Sequence, residues 1–89
     1  MARSGQITVT TAGTAVQGTD QAGNLFALKA HPDNTDAVWV GNDDAGDVAS
    51  SNGYPMDPGE TLVVGAANLN EFWVDADVSG EKLCWIRLN

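Results

Sequence analysis

The sequence predicts an all-β protein, a single small β-sandwich or jelly-roll-like barrel of about seven to eight short antiparallel strands. Three observations predict it. No window carries apolar residues at helical spacing without a glycine or proline interrupting it. Ten glycines and three prolines cut the chain into short pieces. Between them lie runs rich in Val, Thr, Ile and aromatic residues, which suit a pleated, half-buried surface.

Residues 6–10 form the first expected strand, where Ile7 and Val9 alternate with Thr8 and Thr10. Ala12-Gly13-Thr14 turns the chain, and residues 15–17 are expected to pair back on the first strand. Residues 18–24 are polar, contain Gly23 and read as a loop. Residues 25–30 are a mostly apolar strand, closed by His31-Pro32-Asp33-Asn34, a strong turn signal. Residues 37–41, Ala-Val-Trp-Val-Gly, are the clearest strand and are expected inside a sheet.

Asn42-Asp43-Asp44-Ala45-Gly46 is a turn leading to a short strand at 47–49. Ser51-Asn52-Gly53-Tyr54-Pro55 contains the Asn-Gly pair that favours a tight turn. Asp57-Pro58-Gly59-Glu60 is a further turn, with proline set for its second position. Strands follow at 61–65, 71–76 and 82–88. In the last one Cys84, Ile86 and Leu88 share one face, while Leu83, Trp85 and Arg87 share the other. Both faces carry apolar groups, so this strand is expected to be central or covered by a partner. The polar residues 1–6 read as a flexible N-terminal arm, and 7–89 as the sandwich domain.

Composition narrows the function. The chain of 89 residues has 12 acidic and 4 basic side chains and a net charge of −8. Such a balance argues against nucleic acid, whose phosphates need clustered Lys and Arg. An anionic membrane surface would repel the chain for the same reason. No apolar run has the length of a signal peptide or of a membrane span, so synthesis in the cytoplasm is expected. A core this small usually needs a staple. Cys84 is the single cysteine and His31 the single histidine, which excludes an internal disulfide and a His/Cys zinc site. Assembly with other copies or with a larger scaffold is the remaining route.

Several short motifs match a known group. They are the opening Ile7-Thr8-Val9-Thr10-Thr11-Ala12-Gly13-Thr14-Ala15-Val16-Gln17, the middle Val38-Trp39-Val40-Gly41, and the turn Asp57-Pro58-Gly59-Glu60 before an apolar strand. The ending adds Phe72-Trp73-Val74-Asp75-Ala76, then Gly80-Glu81 and Cys84-Trp85-Ile86. With these the chain resembles the small β-sandwich virion proteins of tailed bacteriophages, of capsid decoration or head-fibre type. The resemblance implies a structural role on a virus shell or tail, often as a trimer or at a symmetry axis. The expected partners are the major capsid protein lattice and other copies of the chain, and the expected location is the capsid surface. A tail or fibre-base position and a carbohydrate-binding receptor module are the alternatives.

Catalysis is not expected. His31 sits before Pro32 in a turn, and no Gly-x-Ser-x-Gly elbow or other nucleophile motif accompanies it. Paired carboxylates arise by chance among so many acids, and a chain this small lacks an obvious cleft. Asn42-Asp43-Asp44-Ala45-Gly46-Asp47 offers the oxygen ligands that Ca²⁺ prefers, but the glutamate that closes an EF-hand loop is missing. It reads as a solvated turn, so no metal and no cofactor are expected.

The residues expected to touch a partner are of two kinds. Trp39, Tyr54 and Trp73 are aromatic, and aromatics concentrate at interfaces. If Val38, Val40 and Val74 face inward, Trp39 and Trp73 face outward, where large apolar groups mark contact surfaces. Trp85 is either a further binding aromatic or core. Ala2, Arg3, Ser4 and Gln6 belong to the arm, which is placed to add to a neighbour's sheet edge or to lie on a shell.

Overall fold

The computed structural model describes residues 3–42 and 53–89. It contains eight strands: β1 (Ser4–Val9), β2 (Val16–Gln17), β3 (Leu25–Ala30), β4 (Val38–Gly41), β5 (Tyr54–Met56), β6 (Thr61–Gly65), β7 (Trp73–Ala76) and β8 (Glu81–Arg87). A single 3-10 turn at Leu69–Glu71 is the only helical element among the described residues. The strands form two four-stranded antiparallel sheets. Sheet A has the order β1-β8-β3-β6, and sheet B the order β2-β7-β4-β5.

The pairing has a simple logic. β1 pairs with β8, β2 with β7, β3 with β6 and β4 with β5. The chain is thus one long hairpin with its bend between β4 and β5. Rolling that hairpin brings β8 beside β3 and β7 beside β4. This is the jelly-roll topology, two sheets that share one core. The all-β sandwich expected from sequence is therefore the observed fold.

Alternation within the strands builds the core. Ile7 and Val9 of β1, Phe26, Leu28 and Ala30 of β3, Val38 and Val40 of β4, and Leu83 and Trp85 of β8 point inward and are buried. The ring of Trp85 meets that of Phe26 edge-on, with centroids 6.4 Å apart, a favoured aromatic geometry. Directly across from Trp85 is Gly5. A Cβ on Gly5 would lie 3.1 Å from the indole ring, so the absent side chain is what lets the ring lie against β1.

Turn chemistry follows the sequence where it was explicit. In Asp57-Pro58-Gly59-Glu60, the Glu60 N–H donates to the Asp57 carbonyl at 2.9 Å, and Gly59 takes φ 87°. Proline followed by a left-handed glycine is the requirement of a type II turn. Before β7, the Asn68 side chain accepts from the Asn70 N–H, while the Glu71 carboxylate accepts from the Asn68 N–H. This capping box fixes the 3-10 turn and seats Leu69 in the core.

Four expectations differ from the structure. Residues 16–17 do not pair back on the first strand; they cross to sheet B and pair with Val74 and Trp73. Tyr54 and Pro55, expected in a tight turn, belong to β5, paired with Val40 and Trp39. The strand expected from residue 71 starts at Trp73, because the capping box holds 69–71 as a turn. β1 starts at Ser4, so Ser4, Gly5 and Gln6 of the expected arm are paired with Ile86, Trp85 and Cys84. The strand expected at 47–49 lies outside the described residues.

Buried Glu81 clips the β3–β4 connection to β8. Its carboxylate accepts from the Thr35 N–H at 3.0 Å and the Asp36 N–H at 2.8 Å. Asn34 adds a reciprocal pair with the Lys82 backbone. Glu81→Ala strands these donors and is expected to cost about 1–3 kcal/mol in denaturant unfolding, with Glu81→Gln costing less. Gly5→Ala is expected to cost about 1–3 kcal/mol through overpacking, accompanied by a shift in tryptophan emission.

Candidate functional site

The strand pleat sorts the side chains that do not face the core onto two outer faces. Sheet B carries the expected aromatics. Trp39 and Trp73 both point outward and are half-buried, while Val38, Val40 and Val74 point inward. Across from Trp39 lie Pro55 and Asp75, and across from Trp73 lie Gln17 and Gly41. Tyr54 lies on edge strand β5 and is 56% exposed.

The polar groups beside these tryptophans are already engaged. Asp75 Oδ1 accepts from the Gly13 and Ala76 N–H groups, and Gln17 Nε2 donates to the Asn70 carbonyl. Trp39 Nε1 is buried without a partner among the described residues. A sugar site needs a free ring face with hydrogen-bonding groups around it. Among the described residues the cross-strand neighbours of the rings include Pro55 and Gly41, and the Asp75 and Gln17 side chains have other tasks.

Sheet A presents a different surface. One row across its outer face is Ser4, Ile86, Ala27 and Val63, and the next is Gln6, Cys84, Lys29 and Thr61. Leu25 and Leu88 extend the apolar part toward one end. Val63 is 54% exposed and Ile86 42%. An open depression of about 260 Å³ runs along Ala27, Lys29, Thr61, Cys84 and Ile86. Ser4 and Gln6 are the polar border of this face on β1, and Arg3 precedes them.

Charge is segregated between the faces. All four basic residues lie on or beside sheet A: Arg3 before β1, Lys29 in β3, Lys82 and Arg87 in β8. Lys29 and Lys82 share the outer face with the apolar rows. No strand residue of that face is a carboxylate, and Glu81, the one acid in these strands, is turned into the core. Among the described residues none of the four cations pairs with a carboxylate. His31 Nδ1 lies 3.9 Å from the Asp33 carboxylate. In a chain of net charge −8 this face is the exception.

The other candidates gain little from the geometry. His31 Nδ1 accepts from the Asp33 N–H at 3.0 Å, so it serves its own turn. Trp85 belongs to the core. The described residues hold no group of three His, Cys, Asp or Glu side chains placed for a metal. Of the Asn42–Asp47 segment only Asn42 is described, and Ala2 also lies outside the described residues. The structure brings Ser4 and Gln6 onto sheet A's outer face, and Trp39 and Trp73 onto that of sheet B. Leu25, Val63 and Lys29 are the surface residues that sequence reasoning did not single out. Ile86 and Leu88 were signalled by the two-faced pattern of β8.

No protein-family model, curated protein or solved structure matches this chain.

Proposed function

We propose that this chain is a non-enzymatic structural component of a tailed-phage particle, a capsid decoration protein that binds the mature shell through the outer face of sheet A. The resemblance of the sequence motifs suggests the class. The observation that carries the mechanism is the face itself: exposed Leu25, Val63 and Ile86 beside Lys29 and Lys82, with no carboxylate among them. Exposed apolar groups on a sheet mark a contact surface. Cations that have no carboxylate partner among the described residues favour an acidic partner and set orientation.

Binding only the mature lattice stabilises that lattice by mass action. The turns and sheet B then face solvent with most of the negative charge, which resists non-specific sticking. Jelly rolls serve many functions, so the topology by itself does not carry this reading. The capsid surface is the proposed location.

Quantitative mass spectrometry of purified particles tests the proposal. Copy numbers comparable to the major shell protein are expected. A number far below that moves the chain to a tail or fibre base, and complete absence ends the virion reading. In binding to purified shells, Ile86→Asp is expected to weaken affinity by about tenfold or more. Lys29→Glu is expected to weaken it and to flatten its salt dependence. Unchanged binding by both variants moves the contact off sheet A.

A further inference from the structure

A jelly roll has four edge strands, and an unprotected edge is a template for another chain. In sheet B both edges are blunted. β2 is only two residues long, and β5 carries Pro55, which has no N–H to offer. In sheet A neither edge is blunted by such means. β1 has six residues and β6 has five, without a charge or a proline in either.

These two edges, which pair with no further strand among the described residues, differ in their side chains. The outward residues of β1 are Ser4, Gln6 and Thr8, all polar. β6 reads Thr-Leu-Val-Val-Gly. Val63 points outward and is exposed, while Leu62 and Val64 face the core yet remain half-buried at the sheet margin. The apolar row Ile86, Ala27, Val63 therefore runs across sheet A and stops abruptly at this edge.

We propose that β6 is a self-association edge: two copies pair β6 to β6, antiparallel, about a two-fold axis at Val63. The sequence of the edge is self-complementary in that register. Val63 meets Val63 of the second copy, Leu62 meets Val64, and Thr61 meets Gly65. The adjacent acid, Glu60, meets Ala66 and not its own copy, so no like charges oppose each other. The two Lys29 side chains are held about 20 Å apart by strand spacing and rise, well beyond a Debye length of about 8 Å.

The two-fold arrangement also explains why a second copy fits better than an open-ended stack. Head-to-tail pairing of β6 with β1 leaves one free edge at each step and propagates. Two-fold pairing consumes both β6 edges and closes. It joins the apolar rows of two copies into one stripe and doubles the platform of sheet A. A five-residue edge buries less than the roughly 1,600 Å² of a standard interface, so the dimer forms in a concentration-dependent way. The inference concerns the chain alone and stands apart from the shell reading.

Sedimentation velocity and light scattering on the full chain, from roughly micromolar to millimolar concentration, test it. The wild-type mass is expected to rise from 9.3 kDa to twice that value. Val63→Lys and Val63→Glu each place like charges across the axis and are expected to stay at the single-chain mass. An equimolar mixture of the two variants is expected to recover the doubled mass, because position 63 faces itself only in this register. In wild type, amide exchange at residues 61–65 is expected to slow as concentration rises, a readout that needs no variant. A wild type that stays monomeric, a Val63→Lys chain that still dimerises, a mixture that stays monomeric, or a trimer overturns the proposal.

Discussion

Strand β8 is the element on which the rest of this structure depends. It lies between β1 and β3, so the last strand of the chain closes a sheet opened by the first. Its inward residues do three separate jobs. Leu83 fills the core, Trp85 packs on Phe26 and over Gly5, and Glu81 ties the β3–β4 connection to the sheet. A small domain has little apolar area to spare. Placing a tryptophan and a satisfied carboxylate on one central strand concentrates much of the available stabilisation there. The cost is visible too: Trp85 Nε1 is buried without a partner among the described residues, a desolvation penalty accepted for the area that the ring buries.

The same strand carries the functional contrast of the molecule. Its outward residues Lys82, Cys84 and Ile86 lie at the centre of the one face that has cations and no carboxylates. A chain with 12 acids and 4 bases would be expected to intermingle them, since neighbouring opposite charges attract. Among the described residues the cations stay on or beside sheet A, and the acids are found in turns, on sheet B or, for Glu81, in the core. Among the described residues that separation leaves a mixed apolar and basic surface on sheet A, apart from most of the acids. Edges at β1 and β6 that pair with no further strand among the described residues belong to the same sheet, so face and edge together motivate the two proposals made for sheet A.

Much of the fold was legible because strands announce themselves locally. The limits of β3 and β6 follow from Gly, Pro and Asn punctuation, and the alternation in β1 and β4 set which residues turn inward, whereas β8, apolar on both faces, left that choice open. The outward placement of Trp39 and Trp73 followed from their phase against Val38, Val40 and Val74. Other elements were hidden for identifiable reasons. β5 contains Pro55 and follows an Asn-Gly pair, both of which read locally as turn. The 3-10 turn at 69–71 had a signal, Asn68 three residues before Glu71, but the run Phe72-Trp73-Val74 that follows reads as strand on both sides. Val63 was hidden in a run where Leu62, Val63 and Val64 are all apolar, so alternation could not assign faces.

The sequence by itself determined the strand class, most strand limits, the inward and outward phase in strands with clear alternation such as β1 and β4, and the lack of an internal disulfide. These follow from dihedral preference, period and residue count, which act within a few neighbours. Only the tertiary structure decided which strands pair. Residues 16–17 face β7 and not β1, and the two ends of the chain meet in sheet A. Pairing of that kind depends on how two whole sheets bury their inner faces against each other, and no local pattern encodes it. The charge-segregated face is a product of the same roll. Lys29 and Cys84 are far apart in sequence, and their adjacency exists only because β3 and β8 lie side by side.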